Sequence, residues 1–104
     1  MANEPDVIEQ IKQAVEKTPI LLFMKGTASF PQCGFSARVI SMLESYGVQF
    51  KTVDVLSNPM VREGIKRFAN WPTIPQLYVG GEFQGGCDIV RELDQTGELE
   101  GLLR

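Results

Sequence analysis

Cys33 sits in the stretch Phe30-Pro31-Gln32-Cys33-Gly34-Phe35-Ser36, where a short apolar run gives way to an amphipathic one. Strand then helix is the expected order, which puts the thiol at a helix N-terminus. The first turn of a helix leaves backbone N–H groups unpaired and carries the positive end of the helix dipole. Thiols in that position have pKa values lowered from ~8.5 to roughly 3.5–7.5, and the thiolate is both the nucleophile and the metal ligand. Gly34 lets backbone or ligand approach closely. Pro31 has no N–H to donate, so it holds the entering chain extended and keeps the helix from starting early. The plainer alternative is a buried structural cysteine. The glycine-rich, turn-flanked setting of Cys33 argues against it.

The rest of the composition narrows the chemistry. There is no histidine, which excludes a Cys/His triad, a His-based proton shuttle and most mononuclear zinc sites within one chain. Two cysteines cannot close a zinc site alone. Either the chemistry is thiol–disulfide exchange, or a metal is shared with another chain or a small-molecule thiol. A net charge of −3 gives no electrostatic reason for nucleic acid or an anionic membrane as partner. The longest apolar run, Ile20 to Met24, is far shorter than the ~20 residues a membrane span needs. Neither an export signal nor an Arg-rich transit peptide is expected at the N-terminus. Two cysteines without such a signal point to a reducing compartment, with the cytoplasm the default. The 104 residues fit one domain over 1–104, with no linker, repeat or low-complexity tract.

Around Cys33 the expected elements follow from periodicity. Asp6 to Lys17 reads as a helix, with Val7, Ile8, Ile11, Ala14 and Val15 on one face, ended by Pro19. Ile20 to Met24 reads as a strand buried on both faces. It delivers Lys25 at its carboxyl end, where open α/β sheets bind ligands, so Lys25 and Cys33 should be neighbours. Phe35 to Tyr46 is a helix stopped at Gly47, and Phe50 to Val55 is a strand. Ile20 to Val55 is therefore one right-handed βαβ unit with a parallel strand pair. Asn58 caps a further helix with Pro59 in its tolerated first position. Met60, Val61, Ile65 and Phe68 form its apolar face, and Arg62 and Lys66 share another. Trp71-Pro72-Thr73-Ile74-Pro75 must be extended, and one of its two X–Pro bonds is a candidate for cis. Gly80-Gly81 joins Gln76 to Val79 and Glu82 to Gln84 in a hairpin. Gly85-Gly86-Cys87-Asp88 repeats the strand, glycine, cysteine, helix grammar, leading into a helix from Ile89 to Leu93 with Asp88 near its N-cap. A short helix carrying Leu99, Leu102 and Leu103 ends the chain.

Taken together, Lys25-Gly26-Thr27, Pro31-Gln32-Cys33-Gly34-Phe35-Ser36, Trp71-Pro72-Thr73-Ile74-Pro75-Gln76 and Gly85-Gly86-Cys87-Asp88 resemble the monothiol glutaredoxins of the C-G-F-S type. The likeness covers nearly the whole chain and departs from the family chiefly at Thr27-Ala28-Ser29-Phe30, where relatives often carry a proline. It implies an α/β fold of thioredoxin/glutaredoxin type, a central four-stranded mixed sheet flanked by helices on both faces. It also implies a glutathione groove beside Cys33. Lys25 and Arg62 would pair with the glycine carboxylate, with Lys66 a weaker candidate. Ile74, followed by a Pro75 expected to be cis, would offer its backbone to the glutathione cysteine as an added strand does, and Cys87 and Asp88 would hold the γ-glutamyl end. Trp71 is expected to pack rather than touch ligand.

Dithiol relatives carry a second cysteine where this chain has Ser36, so the dithiol route of protein disulfide reduction is closed. A [2Fe–2S] cluster usually takes four thiolates. Two subunits giving Cys33 and two glutathiones giving one thiol each would supply them. The resemblance thus implies a cluster bridged in a homodimer and passed to apo iron–sulfur proteins. The competing reading is a glutathione-dependent thiol oxidoreductase that removes glutathione from modified proteins. A third is a module that docks BolA-like partners.

Overall fold

The computed structural model describes residues 4–104. It contains α1 (Glu4–Lys17), β1 (Ile20–Met24), α2 (Gly34–Ser45), β2 (Lys51–Asp54), α3 (Pro59–Ala69), β3 (Gln76–Val79), β4 (Glu82–Gly85), α4 (Cys87–Thr96) and α5 (Glu98–Leu103). The four strands form one sheet in the order β2-β1-β3-β4. β1 pairs parallel with β2, while β3 runs antiparallel to both β1 and β4. The expected βαβ unit, hairpin and mixed sheet are all present.

Every residue of β1 is buried, because helices cover both faces of the sheet. Ile20, Leu22 and Met24 face a core built with Val39, Ile40 and Leu43 of α2, Val90 of α4 and Leu99 and Leu103 of α5. Leu21 and Phe23 face the other way, onto Val7, Ile11 and Val15 of α1 and Ile65 of α3. Alternation along one strand thus feeds two separate apolar layers.

Several boundaries differ from expectation. α1 begins at Glu4, two residues early, since Pro5 is tolerated in a first turn whose N–H groups are unpaired anyway. β2 is shorter at both ends than Phe50 to Val55. α4 starts at Cys87 and runs to Thr96, so Asp88 lies inside the first turn and Gly86 is the N-cap. Met60 is 41% exposed; at the second position of α3 it lies before the turn that packs on α1, so the apolar face begins at Val61. Asn58 does cap α3, its side chain accepting from the N–H of Met60 and Val61 at 3.1 and 3.3 Å. Gly80 and Gly81 both have positive φ, +60° and +84°, the backbone of a tight two-residue hairpin turn. Ile74–Pro75 is cis.

This topology gathers the loops of interest. Phe23 near the end of β1 pairs with Gln76 at the start of β3, and Leu77 pairs with Gly85 at the end of β4. The β1–α2 loop, the cis-proline segment and the N-terminus of α4 therefore meet at one end of the sheet.

Candidate functional site

Cys33 is the N-cap of α2, with extended backbone (φ −149°, ψ 134°). Two hydrogen bonds fix the loop that precedes it. The Gln32 N–H donates to the Lys25 carbonyl at 2.9 Å, and the Lys25 N–H donates to Ser36 Oγ at 3.2 Å. Between them, Thr27 and Phe30 exchange backbone hydrogen bonds at 3.3 and 3.1 Å, so the loop closes on itself. Gly26 makes that possible: its φ is +91°, and a Cβ there would lie 2.5 Å from the Phe30 carbonyl oxygen. Asp54 Oδ1 at the end of β2 accepts the Gly26 and Leu56 N–H groups, both at 2.9 Å, and so ties the loop to the sheet.

No cap hydrogen bond of ordinary geometry reaches the Cys33 sulfur, yet its surroundings favour the thiolate. Burial works against ionisation, and it is outweighed by the Ser36 and Phe35 N–H groups, the Lys25 charge and the Ser36 hydroxyl, which together hold the Cys33 pKa below its ordinary value. Cys87 moves the opposite way. Burial and the neighbouring Asp88 carboxylate push its thiol up, against weaker opposition from Arg38 and Arg91. Both cysteines are free thiols.

A cleft of about 470 Å³ opens over these residues, lined by Lys25, Cys33, Arg62, Ile74, Cys87 and Asp88. All six residues singled out from the sequence therefore line one cavity, of the size that takes a small organic ligand. Lys66, Trp71, Thr73, Phe35 and Gly86 complete much of its wall. Lys25, Arg62 and Lys66 supply positive charge; Asp88 and the first turn of α4 supply a carboxylate and unpaired N–H groups. Arg62 Nε and Trp71 Nε1 are buried without a hydrogen-bond partner. Lys66 pairs with Glu63 at 3.3 Å, which leaves it less available than Arg62. Among the described residues Ile74 forms no backbone hydrogen bond.

Two residues have larger structural parts than the sequence reading gave them. Ser36 entered only as the residue replacing a second cysteine; it is fully buried and joins Lys25 to the first turn of α2. Gln76 entered only as the last residue of a motif and the first of a strand, and it too is fully buried. A polar residue heading the apolar run Leu77-Tyr78-Val79 was the available signal.

As to metals, no group of three or more Cys, Asp and Glu side chains is placed to hold an ion among the described residues. Of the two thiols that line the cleft, Cys33 is the one whose pKa is lowered. That donor set fits a cluster only if the remaining ligands come from outside the chain. No described helix is long and apolar enough to cross a membrane.

The sequence profile of the glutaredoxin family matches residues 20–84. Glutaredoxin 4 of Haemophilus ducreyi is 52% identical over 99 residues, covering 95% of this chain and 92% of the relative. A probable monothiol glutaredoxin 2 of Rickettsia typhi is 51% identical over 94 residues, covering 90% of this chain and 85% of its own. The solution structure of reduced apo GrxS14 from poplar superposes with a TM-score of 0.80 at 45% identity, over 93% of this chain and 89% of that one. With a single cysteine in the turn that opens α2 and relatives of this kind along nearly its full length, the chain belongs to the glutaredoxin family, in its monothiol branch.

Proposed function

We propose that this protein binds glutathione in the cleft over Cys33 and uses the pair to carry a [2Fe–2S] cluster between two copies of the chain, delivering it to apo iron–sulfur proteins in the cytoplasm. The observation that carries the reading is a single thiol favoured as thiolate, in a cleft with cations at one side and a carboxylate beside a helix N-terminus at the other. Glutathione has a glycine carboxylate at one end and an amino acid head at the other, and this polarity matches. Lys25 and Arg62 would take the first by charge-assisted hydrogen bonds. The unpaired backbone of Ile74 would take the middle. The first-turn N–H groups at Cys87 and Asp88 would take the γ-glutamyl carboxylate, and the Asp88 side chain its ammonium.

One chain offers one suitable thiolate, and a cluster asks for four. A second copy and two glutathiones complete the set. Ser36 carries a hydroxyl where a resolving thiol would be needed, which leaves Cys33 free to be a ligand. When bound, the cluster supplies the iron and sulfide handed to the recipient; this chain supplies one thiolate and a grip on the glutathione beside it. BolA-like proteins are candidate partners of the loaded dimer.

Anaerobic reconstitution with iron and sulfide, with and without glutathione, tests this by visible absorption and gel filtration. Glutathione-dependent absorption eluting at twice the monomer mass is expected. A cluster assembling equally without glutathione, or on a monomer, would overturn the reading. The second reading, a glutathione-dependent oxidoreductase, rests on the lowered pKa of Cys33 together with a second thiol lining the same cleft. Rapid catalytic deglutathionylation in the absence of iron would favour it.

A further inference from the structure

Gln76 follows the cis bond directly and is fully buried, yet every polar atom of its side chain is engaged. Nε2 donates to the Trp71 carbonyl and to the Thr73 carbonyl, each at 3.2 Å. Oε1 accepts the Tyr78 hydroxyl at 3.1 Å. A carboxamide has two N–H hydrogens, and here each finds one carbonyl of the same short segment. That segment, Trp71 to Pro75, is one wall of the cleft. Pro72 and Pro75 have no N–H with which to hold it. Among the described residues its one other backbone tie runs from the Trp71 N–H to the Lys66 carbonyl at 3.0 Å.

Resting on the glutathione reading above, we propose that Gln76 is a positioning residue for the bound tripeptide: its carboxamide clamps the Trp71 and Thr73 carbonyls and so presents the backbone of Ile74 to the cleft. Tyr78 sets the direction of the clamp. Its hydroxyl stays protonated, since burial pushes its pKa up, and donates to Oε1; an inverted carboxamide would set its oxygen against two carbonyl oxygens. The ring of Tyr78 lies 5.4 Å from Phe83, which lies 5.6 Å from Trp71. The wall is thus held from behind by rings packed edge-on and tilted and from within by one amide. Gln76 itself does not line the cleft, and Cys33 stands on another element.

Gln76→Met keeps the shape of the side chain and removes both donors. Two rates at Cys33 separate its roles. Iodoacetamide needs only the thiolate, whereas oxidised glutathione must also seat in the cleft. The variant should react with iodoacetamide at close to the parent rate, and with oxidised glutathione at least about tenfold more slowly, a factor worth ~1.4 kcal/mol. A residue that merely filled the core would lower the melting temperature and leave the ratio of the two rates unchanged; that result overturns the proposal. A parent protein that reacts no faster with oxidised glutathione than with hydroxyethyl disulfide would instead overturn the glutathione reading itself. Should Gln76→Met not fold, the parent suffices: by nuclear magnetic resonance its two Nε2 protons should be protected from solvent exchange and should shift on addition of glutathione. Protons that exchange like those of an exposed carboxamide would sink the clamp.

Discussion

Two junctions in this molecule share one local grammar, a strand end and glycine beside a cysteine at a helix N-terminus, and they produce opposite thiols. Cys33 is the N-cap itself, its backbone extended, with the first-turn N–H groups and Lys25 facing its sulfur. Cys87 lies one position further in, as the first residue of α4 after the N-cap Gly86, 6% exposed and beside Asp88. One is held below the ordinary thiol value and the other above it. A helix N-terminus therefore does not activate a cysteine by itself. The side chain must face the unpaired N–H groups, and the desolvation that opposes charge must stay smaller than what they return.

The largest effect that would break this contrast concerns reactivity. Reduced protein treated with oxidised glutathione should form a mixed disulfide at Cys33, and Cys33→Ser should abolish both that adduct and cluster assembly while leaving the fold intact. Mass spectrometry and visible absorption check both, and an undiminished cluster in the variant would defeat the assignment. The pH dependence sharpens the same point. Alkylation of Cys33 should persist at pH values where Cys87 is inert. The sign carries over to stability: a lowered folded pKa at Cys33 stabilises the fold as pH rises from that value to the unfolded one, whereas the raised pKa of Cys87 destabilises it as pH climbs past the unfolded thiol value. Cys87→Ala should therefore soften alkaline unfolding, read as melting temperature against pH, and Cys33→Ala should not.

Next in size are the cations of the Cys33 side. Lys25→Ala and Arg62→Ala should each weaken glutathione binding by about 1.5–3 kcal/mol if their charge-assisted hydrogen bonds form. Titration calorimetry giving parent-like affinity for both would return them to solvated charge.

Smaller and slower is the response of Cys87. Both thiols line the cleft, so Cys87 should attack the Cys33 adduct and release glutathione as an intramolecular disulfide forms, but only gradually, because its buried thiol resists ionisation. A stable adduct with Cys87 persistently free would leave Cys87 as a small wall residue.

The smallest effects test the glycines. A Cβ on Gly34 meets nothing within 4 Å, so Gly34→Ala should leave thermal stability within about 1 kcal/mol of the parent. A Cβ on Gly86 would lie 3.2 Å from the Pro75 carbonyl oxygen, and Gly86→Ala should cost roughly 1–2 kcal/mol. Equal melting temperatures would show that the wall beside Cys87 yields more easily than its packing implies.

Much of this was legible in the sequence. The run Ile20 to Met24, the cap at Asn58-Pro59, the pair Gly80-Gly81 and the X–Pro bond at Ile74–Pro75 carry signals that act within a few residues, and each gave the element observed. The motifs around Cys33, Trp71 and Cys87 named much of the cleft's lining, while Lys25, Arg62 and Lys66 come from outside them. Local signals misled where a helix met the rest of the molecule: Met60 fits the apolar period of α3 but projects before its packed turns, and α4 starts earlier than its first aliphatic residue because Cys87 and Asp88 are themselves in the first turn.

What the sequence by itself determined is the set of elements and the family, since backbone preference, apolar period and motif are properties of neighbouring residues. Tertiary structure alone decided the rest. The order β2-β1-β3-β4 brings the end of β1, the start of β3 and the end of β4 together, and so makes one cleft of three distant motifs. It also decided which cysteine is the more buried, that Ser36 would join Lys25 to α2, and that the carboxamide of Gln76 would find two carbonyls and a hydroxyl in a buried place. Burial and partnership between residues far apart in the chain depend on which surfaces the packed sheet and helices exclude from water, and no window of sequence contains that.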